Sequence, residues 1–340
     1  MARVFLTGAS GYIGGDVLHA LKLAFPQFEY TALLRDSTKA DQVTKAYPDV
    51  RVVHGDLDAT SLIEEEARRA DIVIHAANNK HVKSVEAISR GLSAPGRNKN
   101  GVWLQVSGAA LLSIADIEKK TFGEFSDKVY SDLDGVEELR AHIRRYSATR
   151  IVDNYLLNLP ASPTQPRTAL IFPPIIYGRG RGPVNQRSIQ IPELARVSIQ
   201  RRGGFQVEKG ESIWSSVHIA DLSKIFVKLV EQALQGDNDA LWNENGLYFP
   251  GRGALPWKAI SGHVTQELHR LGLVDSTSVN AISHDEADTL MPAGSIFWGT
   301  NARQLSQRAP SLLGWAPKEK SLEEDIPDTV QLEAKRLGLK

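Results

Sequence analysis

Four glycines, Gly8, Gly11, Gly14 and Gly15, crowd into eight positions of the run FLTGASGYIGG at residues 5–15. Ahead of them stands a short apolar stretch, and behind them the amphipathic DVLHALKLA. That order demands a strand that turns sharply into a helix. In such a turn Gly8 supplies the tight bend. Gly11 lets the backbone approach a pyrophosphate with no Cβ in the way, and Gly14 lets the helix pack closely on the strand. The helix opens with unpaired N–H groups and a partial positive charge, which suit a phosphate. Thr7, Gly8, Ser10, Gly11, Tyr12, Ile13 and Gly14 are therefore candidate dinucleotide-binding residues.

The rest of the first half repeats the same alternation. Short β-branched runs at 3–7, 30–35, 50–54, 71–76, 102–107 and 168–172 read as strands, most of them apolar on both faces. Strands of that kind are covered by helices on each side. Helical patterns fill 13–24, 58–70 (Asp58 a candidate N-cap), 80–92 and 134–158, with another at 219–235. Strand and helix in turn predict an α/β fold, a doubly wound parallel sheet of Rossmann type with a smaller C-terminal α/β substrate subdomain. Residues 1–178 would form the dinucleotide-binding domain, with 214–240 returning to it. Residues 179–213 and 241–340 would form the substrate-binding subdomain, and YGRGRGPVNQRS at 177–188 reads as a loop.

Cofactor choice turns on the end of the second strand, where an acidic residue would hold the ribose of NAD. Twenty-one residues beyond Gly14 stands Arg35, with Asp36 one place late. A guanidinium suits a 2′-phosphate through charge and its forked donors, so NADP(H) is the expected cofactor. Elsewhere charge is balanced, 40 Lys plus Arg against 40 Asp plus Glu. That balance gives no reason to expect nucleic acid or an anionic membrane as a partner. Cysteine is absent, which removes disulfides, thiolate metal sites and a cysteine nucleophile. The nine histidines show no metal-ligand spacing. No apolar run approaches the ~20 residues of a membrane span, and no signal peptide is evident at the N-terminus. The expectation is a cytoplasmic monomer or homodimer acting on a small molecule.

With these residues in place, the chain resembles the extended and atypical short-chain dehydrogenase/reductases, including epimerase/dehydratase-like and NmrA-like proteins. TGASGYIG is similar to that family's TGxxGxxG, and HGDLDAT to its GD[LV] after the third strand, which implies that Asp56 and Leu57 lie beside the adenine. VIHAAN resembles the motif after the fourth strand and implies Ala76 and Ala77 along the cofactor. FPPIIYGRG resembles RPxxVYGxG and implies Pro173 near the nicotinamide; WSSVHIADL and LLGWAPK resemble later motifs.

The resemblance also implies a Tyr-x-x-x-Lys on a helix and a hydroxyl at the end of the fifth strand. Here YSATR supplies Tyr146 and, in place of lysine, Arg150. An i, i+4 pair shares one helix face, so Arg150 would favour the phenolate of Tyr146. Ser107 is the hydroxyl candidate, although the usual position falls nearer Gly108, Ala109 or Ala110. Tyr130 has Asp134 at i+4, which works against a phenolate. His75 reads as a core histidine, His218 as a loop anchor, and Arg144 and Arg145 as a solvated face. Trp103, Trp242, Trp257 and Trp298 read as packing, with Trp298 or Phe297 as possible pocket lining. The leading expectation is an NADPH-dependent oxidoreductase reducing a carbonyl or similar unsaturated group of a small organic substrate. The alternatives are a non-catalytic NADP(H)-binding regulator or non-redox isomerase or cyclase on the same scaffold, and a nucleotide-sugar epimerase or dehydratase. Specificity would reside in 178–215 and 245–300, where no substrate motif is recognisable.

Overall fold

A computed structural model describes residues 1–340 except 98–99, 161–163, 237 and 340. The glycine turn joins β1 (Arg3–Thr7) to α1 (Tyr12–Ala24), and the alternation continues through β2 (Glu29–Leu34), α2 (Ser37–Ala46), β3 (Val50–His54), α3 (Thr60–Arg69), β4 (Ile72–His75), α4 (Val82–Leu92) and β5 (Val102–Val106). After a 3-10 turn at Ala109–Ser113 come α5 (Ile114–Lys119), β6 (Tyr130–Ser131), α6 (Val136–Arg145), α7 (Ile151–Leu157), β7 (Arg167–Ile171) and β8 (Ile175–Tyr177). Then follow α8 (Gln190–Arg201), β9 (Gly204–Val207), β10 (Ile213–His218), α9 (Ile219–Gln235), β11 (Leu247–Tyr248), β12 (Gly253–Pro256) and α10 (Trp257–Arg270). The chain closes with β13 (Val279–Ile282), α11 (His284–Leu290), α12 (Gly294–Gly299), β14 (Gln304–Leu305), α13 (Arg308–Leu313) and α14 (Leu322–Arg336).

The main sheet has seven strands in the order β11-β7-β5-β4-β1-β2-β3, all parallel. Strand order reverses between β1 and β4, which opens a crevice at their carboxyl ends. Side chains alternate along each strand, so Val4 and Leu6 enter one apolar layer while Phe5 enters the other. α1 and α9 cover the first face with Val17, Leu21, Ile225 and Leu229, and α3, α4 and α7 cover the second with Ile63, Ile88 and Val152. A three-stranded sheet (β12-β10-β8) and two strand pairs (β13-β9 and β14-β6) lie outside the main sheet. Trp257, Trp298 and Phe205 are buried among them, as are Trp103 and Trp242 in the main body, so these tryptophans pack. Ile213–His218 is the central strand of the three-stranded sheet, parallel to β8 and antiparallel to β12.

Two local expectations are corrected, and one helix that the sequence did not mark is added. α3 begins at Thr60 behind Ala59, not at Asp58, whose carboxylate faces His81 and Lys83 instead. α2 carries only Ala40 and Val43 on its buried side, too little apolar periodicity to mark it in the sequence. The continuous helix over 134–158 is two helices separated by a turn at Tyr146–Arg150. No glycine or proline causes the break. The turn keeps its carbonyls paired: buried Asn154 donates from Nδ2 to Ile143 O (2.7 Å), and Tyr146 O accepts the backbone N–H groups of Thr149 (3.0 Å) and Arg150 (2.9 Å).

Candidate active site

The glycine turn, the ends of β2, β3 and β4 and the loop before α4 enclose a groove of about 470 Å³. Thr7, Gly8, Ser10, Gly11, Arg35, Asp56, Leu57, Ala76 and Ala77 all line it. Gly8 has φ +83°, a conformation L side chains rarely adopt, and a Cβ there would stand 2.7 Å from the Ala76 backbone. A Cβ on Gly14 would collide with the Gly8 carbonyl oxygen, so this glycine sets how closely α1 approaches the turn. At Gly11 a Cβ would meet only Gly8 O, at 3.2 Å; its remaining surroundings are open.

Tyr12, Ile13, Gly14 and Pro173 are not part of the groove wall. Tyr12 is buried, and its hydroxyl donates to Gly178 O at 2.6 Å. Burial first, and then the nearby Asp16, raises that phenol well above its usual pKa. Ile13 packs against the layer that holds α1 on the sheet. Pro173 accepts the Ala109 N–H at 3.0 Å, and so fastens the end of β7 to the turn after β5.

Arg35 is exposed and, among the described residues, has no ion-pair partner. Asp36 is committed elsewhere: it is the N-cap of α2 and its side chain accepts the Lys39 N–H at 3.0 Å. Asp56 Oδ1 accepts the Asp58 N–H at 2.9 Å, which shapes the turn leaving β3. His81 caps α4, its Nδ1 accepting the Ser84 N–H at 3.2 Å. The core histidine His75 meets Thr7 Oγ1 through Nδ1 at 2.6 Å, and burial drives its pKa down to about 4. His218 caps α9 by accepting the Ala220 N–H at 3.2 Å.

The three candidate catalytic side chains do not converge. Tyr146 ends α6, and its hydroxyl donates to Glu118 Oε2 at 2.9 Å. Desolvation first, then that hydrogen bond, raises the phenol above its usual pKa, the reverse of the expected depression. The cation beside it is Arg145, whose guanidinium lies 5.3 Å from the ring centroid, and not Arg150. His142 packs edge-on against the same ring at 4.8 Å. The break after α6 explains the divergence, because the helical geometry that would align positions 146 and 150 is lost.

Arg150 instead turns inward from the start of α7. Its Nη2 donates to Gly108 O at 3.1 Å and its Nη1 lies 3.8 Å from Asp153. Asp153 is buried and accepts the Ser107 hydroxyl at 3.0 Å. Burial pushes the Asp153 carboxyl up and the Arg150 guanidinium down; each is opposed by the other's charge. Sequence reasoning missed Asp153 and Glu118. Asp153 was legible only as a carboxylate three places after Arg150, and Glu118 sits on an element 28 residues from its partner. Among the described residues no group of His, Asp or Glu could hold a metal ion, and no helix is long and apolar enough to cross a membrane.

A seven-stranded parallel sheet, a glycine turn at its switch point and a groove along the strand ends define a short-chain dehydrogenase/reductase-type protein. The NmrA-like family matches residues 1–111. The oxidase ucsJ of Acremonium sp is 36% identical over 345 residues, covering 99% of each chain. An uncharacterised protein of Saccharomyces cerevisiae is 24% identical, covering 95% of this chain and 97% of its own. Among solved structures, the dTDP-glucose 4,6-dehydratase DesIV of Streptomyces venezuelae, with NAD and TYD bound, superposes with a TM-score of 0.62 at 17% identity over 99% of this chain and 98% of its own. The UDP-glucose 4-epimerase of Thermotoga maritima, with UDP-glucose, gives 0.61 at 14% identity over 98% and 99%. The chain belongs to the same family as the oxidase ucsJ, and its first third matches the NmrA-like family.

Proposed function

We propose that the protein is an oxidoreductase that binds a nicotinamide dinucleotide, prefers NADP(H), and reduces a carbonyl or similar unsaturated group of a small organic substrate. The observation that carries the reading is the exposed Arg35 at the end of β2, without an ion-pair partner among the described residues, beside an Asp36 occupied in capping α2. The groove fits the cofactor: it is open at Gly11, where a side chain would intrude, and it runs from Ser10 to Asp56 and Leu57. Thr7, Gly8, Ser10 and Gly11 would hold the pyrophosphate with Tyr12 and Ile13 in the first turn of α1, and Ala76 and Ala77 would flank the cofactor. Bound, NADPH supplies a hydride; everything else is asked of the chain.

Proton delivery falls to Tyr146. A phenol is protonated at neutral pH and can donate to a developing alkoxide. The upward shift from desolvation and Glu118 makes it a weaker acid, so donation requires the Glu118 bond to be exchanged for one to the substrate. Arg150 and Ser107, tied to Asp153, brace the Gly108 end of β5. The relative named as an oxidase agrees with redox chemistry on this scaffold. The sugar-nucleotide enzymes, all under 25% identical, support the fold and no particular substrate. A second reading, dinucleotide binding without carbonyl reduction, is favoured by one observation, the separation of Tyr146 from Arg150. Calorimetry decides the cofactor: NADPH should bind more tightly than NADH, and Arg35→Asp should narrow or reverse the difference. Equal affinities in the parent protein would remove the basis of the preference. NADPH consumption across a carbonyl panel separates the two readings.

A further inference from the structure

Outside the dinucleotide groove, the loop 178–188 forms a second concavity. A hollow of about 590 Å³ lies between this loop, the start of α8 and the last turns of α14. A smaller one, about 400 Å³, adjoins it on the other side of Arg179 and Lys335, which line both together with Thr329 and Leu332. Positive charge dominates the larger hollow: Arg179, Arg187, Lys335 and Arg336 face a single carboxylate, Glu333.

Glu333 is already used. It accepts Arg187 Nε at 2.8 Å and Arg336 Nε at 3.1 Å, and Arg187 also reaches Glu193 at 2.8 Å. Arg179 and Lys335 are left over. Arg179 Nε donates only to the neutral Gln186, at 2.8 Å, and among the described residues neither cation has a carboxylate partner. A lysine in the last turn of a helix complements the helix dipole without a ligand. The dipole does not account for an arginine from a separate loop lining the same two hollows. The smaller hollow also holds Asp325 and Asp328, both paired with Lys320, so the potential of the two leftover cations favours an anion in the larger hollow.

The floor of this site is held in place. The Tyr12 hydroxyl binds Gly178 O, and Arg181 makes three contacts with the fully buried Asp16 of α1: through its backbone N (2.8 Å), Nε (3.1 Å) and Nη2 (2.6 Å). Hydrogen bonds from Arg181 and from Ser223 (2.6 Å) outweigh burial and keep the Asp16 carboxyl below its usual pKa. A Cβ on Gly182 would stand 2.7 Å from the Gly15 backbone, so the loop lies directly on α1. Arg179 is thus presented from a braced segment, which lowers the ordering cost of binding.

We propose that the hollow between loop 178–188 and α14 is a binding site for a small anion bearing phosphate or carboxylate groups, held by Arg179 and Lys335 and separate from the dinucleotide groove. Calorimetry on the whole protein, with inorganic phosphate and with citrate as probes, tests it. At least one probe should bind saturably with Kd below about 1 mM. The Arg179→Ala/Lys335→Ala variant should weaken it tenfold or more with an unchanged melting temperature. Phosphate alone binding points to a phosphate ester as the natural ligand, and citrate alone to a polycarboxylate. Repeating the titration with NADPH present separates this site from the glycine turn. Binding displaced by NADPH and unchanged in the double variant would overturn the proposal. So would the absence of saturable binding by either probe. The variant comparison stands whether or not NADPH binds.

Discussion

Tyr146 shows how far one side chain's role depends on its partners. Its neighbours are a carboxylate that takes its hydrogen, a histidine edge and the Arg145 guanidinium over its ring. The first raises the pKa and the last lowers it, and desolvation with Glu118 prevails. A protonated phenol serves reduction, where an acid is needed, better than it serves proton abstraction. Tyr146→Phe should therefore lower carbonyl-dependent NADPH oxidation by about two orders of magnitude, the upper range of a general acid's contribution being about four. NADPH affinity should be unchanged, because Tyr146 does not line the groove. Steady-state kinetics with calorimetry checks both halves; unchanged turnover would assign the proton to another donor.

Between elements, the decisive contact is the one that joins the end of β5 to α7. Ser107 and Gly108 on one side meet Asp153 and Arg150 on the other, and all the charge involved is buried. Arg150→Ala would leave Asp153 without its cation and Gly108 O with only the Leu111 N–H. Removing one partner of a buried pair costs about 3–5 kcal/mol, and the 3.8 Å separation places this pair toward the lower end. Urea unfolding should accordingly show Arg150→Ala destabilised by about 3 kcal/mol, with Arg150→Lys recovering part of it. A purely catalytic arginine at an open site would leave stability untouched. The broken helix belongs to the same scale: RRYSATR contains no glycine or proline, and the turn persists with Ile143 O bonded by the Asn154 side chain and Tyr146 O by the backbone of Thr149 and Arg150.

For the molecule as a whole, burial of histidine sets a pH response. His75, wholly enclosed between β4, β1 and α4, has a folded-state pKa of about 4, against about 6.5 when unfolded. Below pH 6.5 the unfolded chain takes up a proton that the folded protein refuses, so stability is complete above that pH and falls as pH drops toward 4. This one group should cost about 2 kcal/mol between pH 7 and pH 5. Burial also lowers the pKa values of His19, His142 and His218, which adds in the same direction. Denaturant melts of the parent and of His75→Gln at the two pH values isolate the His75 share: the variant should lose about 2 kcal/mol less on acidification. Equal losses would mean that His75 is accessible to protons in the folded state.

By itself the sequence determined the features that local covalent order controls. A glycine turn between strand and helix, strands apolar on both faces, and an arginine where the second strand ends each follow from spacing along the chain, and each has a place in the folded protein. Only the tertiary structure decided which side chains meet. Asp36 was ambiguous until α2 claimed it as a cap, and Asp58 was lost to His81 and Lys83. Tyr146 finds Glu118 across 28 residues, Asp16 finds Arg181 across 165, and Arg179 shares its hollow with Lys335 at the far end of the chain. Such partnerships arise because burial forces every polar group to find a partner among whatever the packed layers bring near. That neighbourhood is a property of how helices cover a sheet, and no local spacing encodes it.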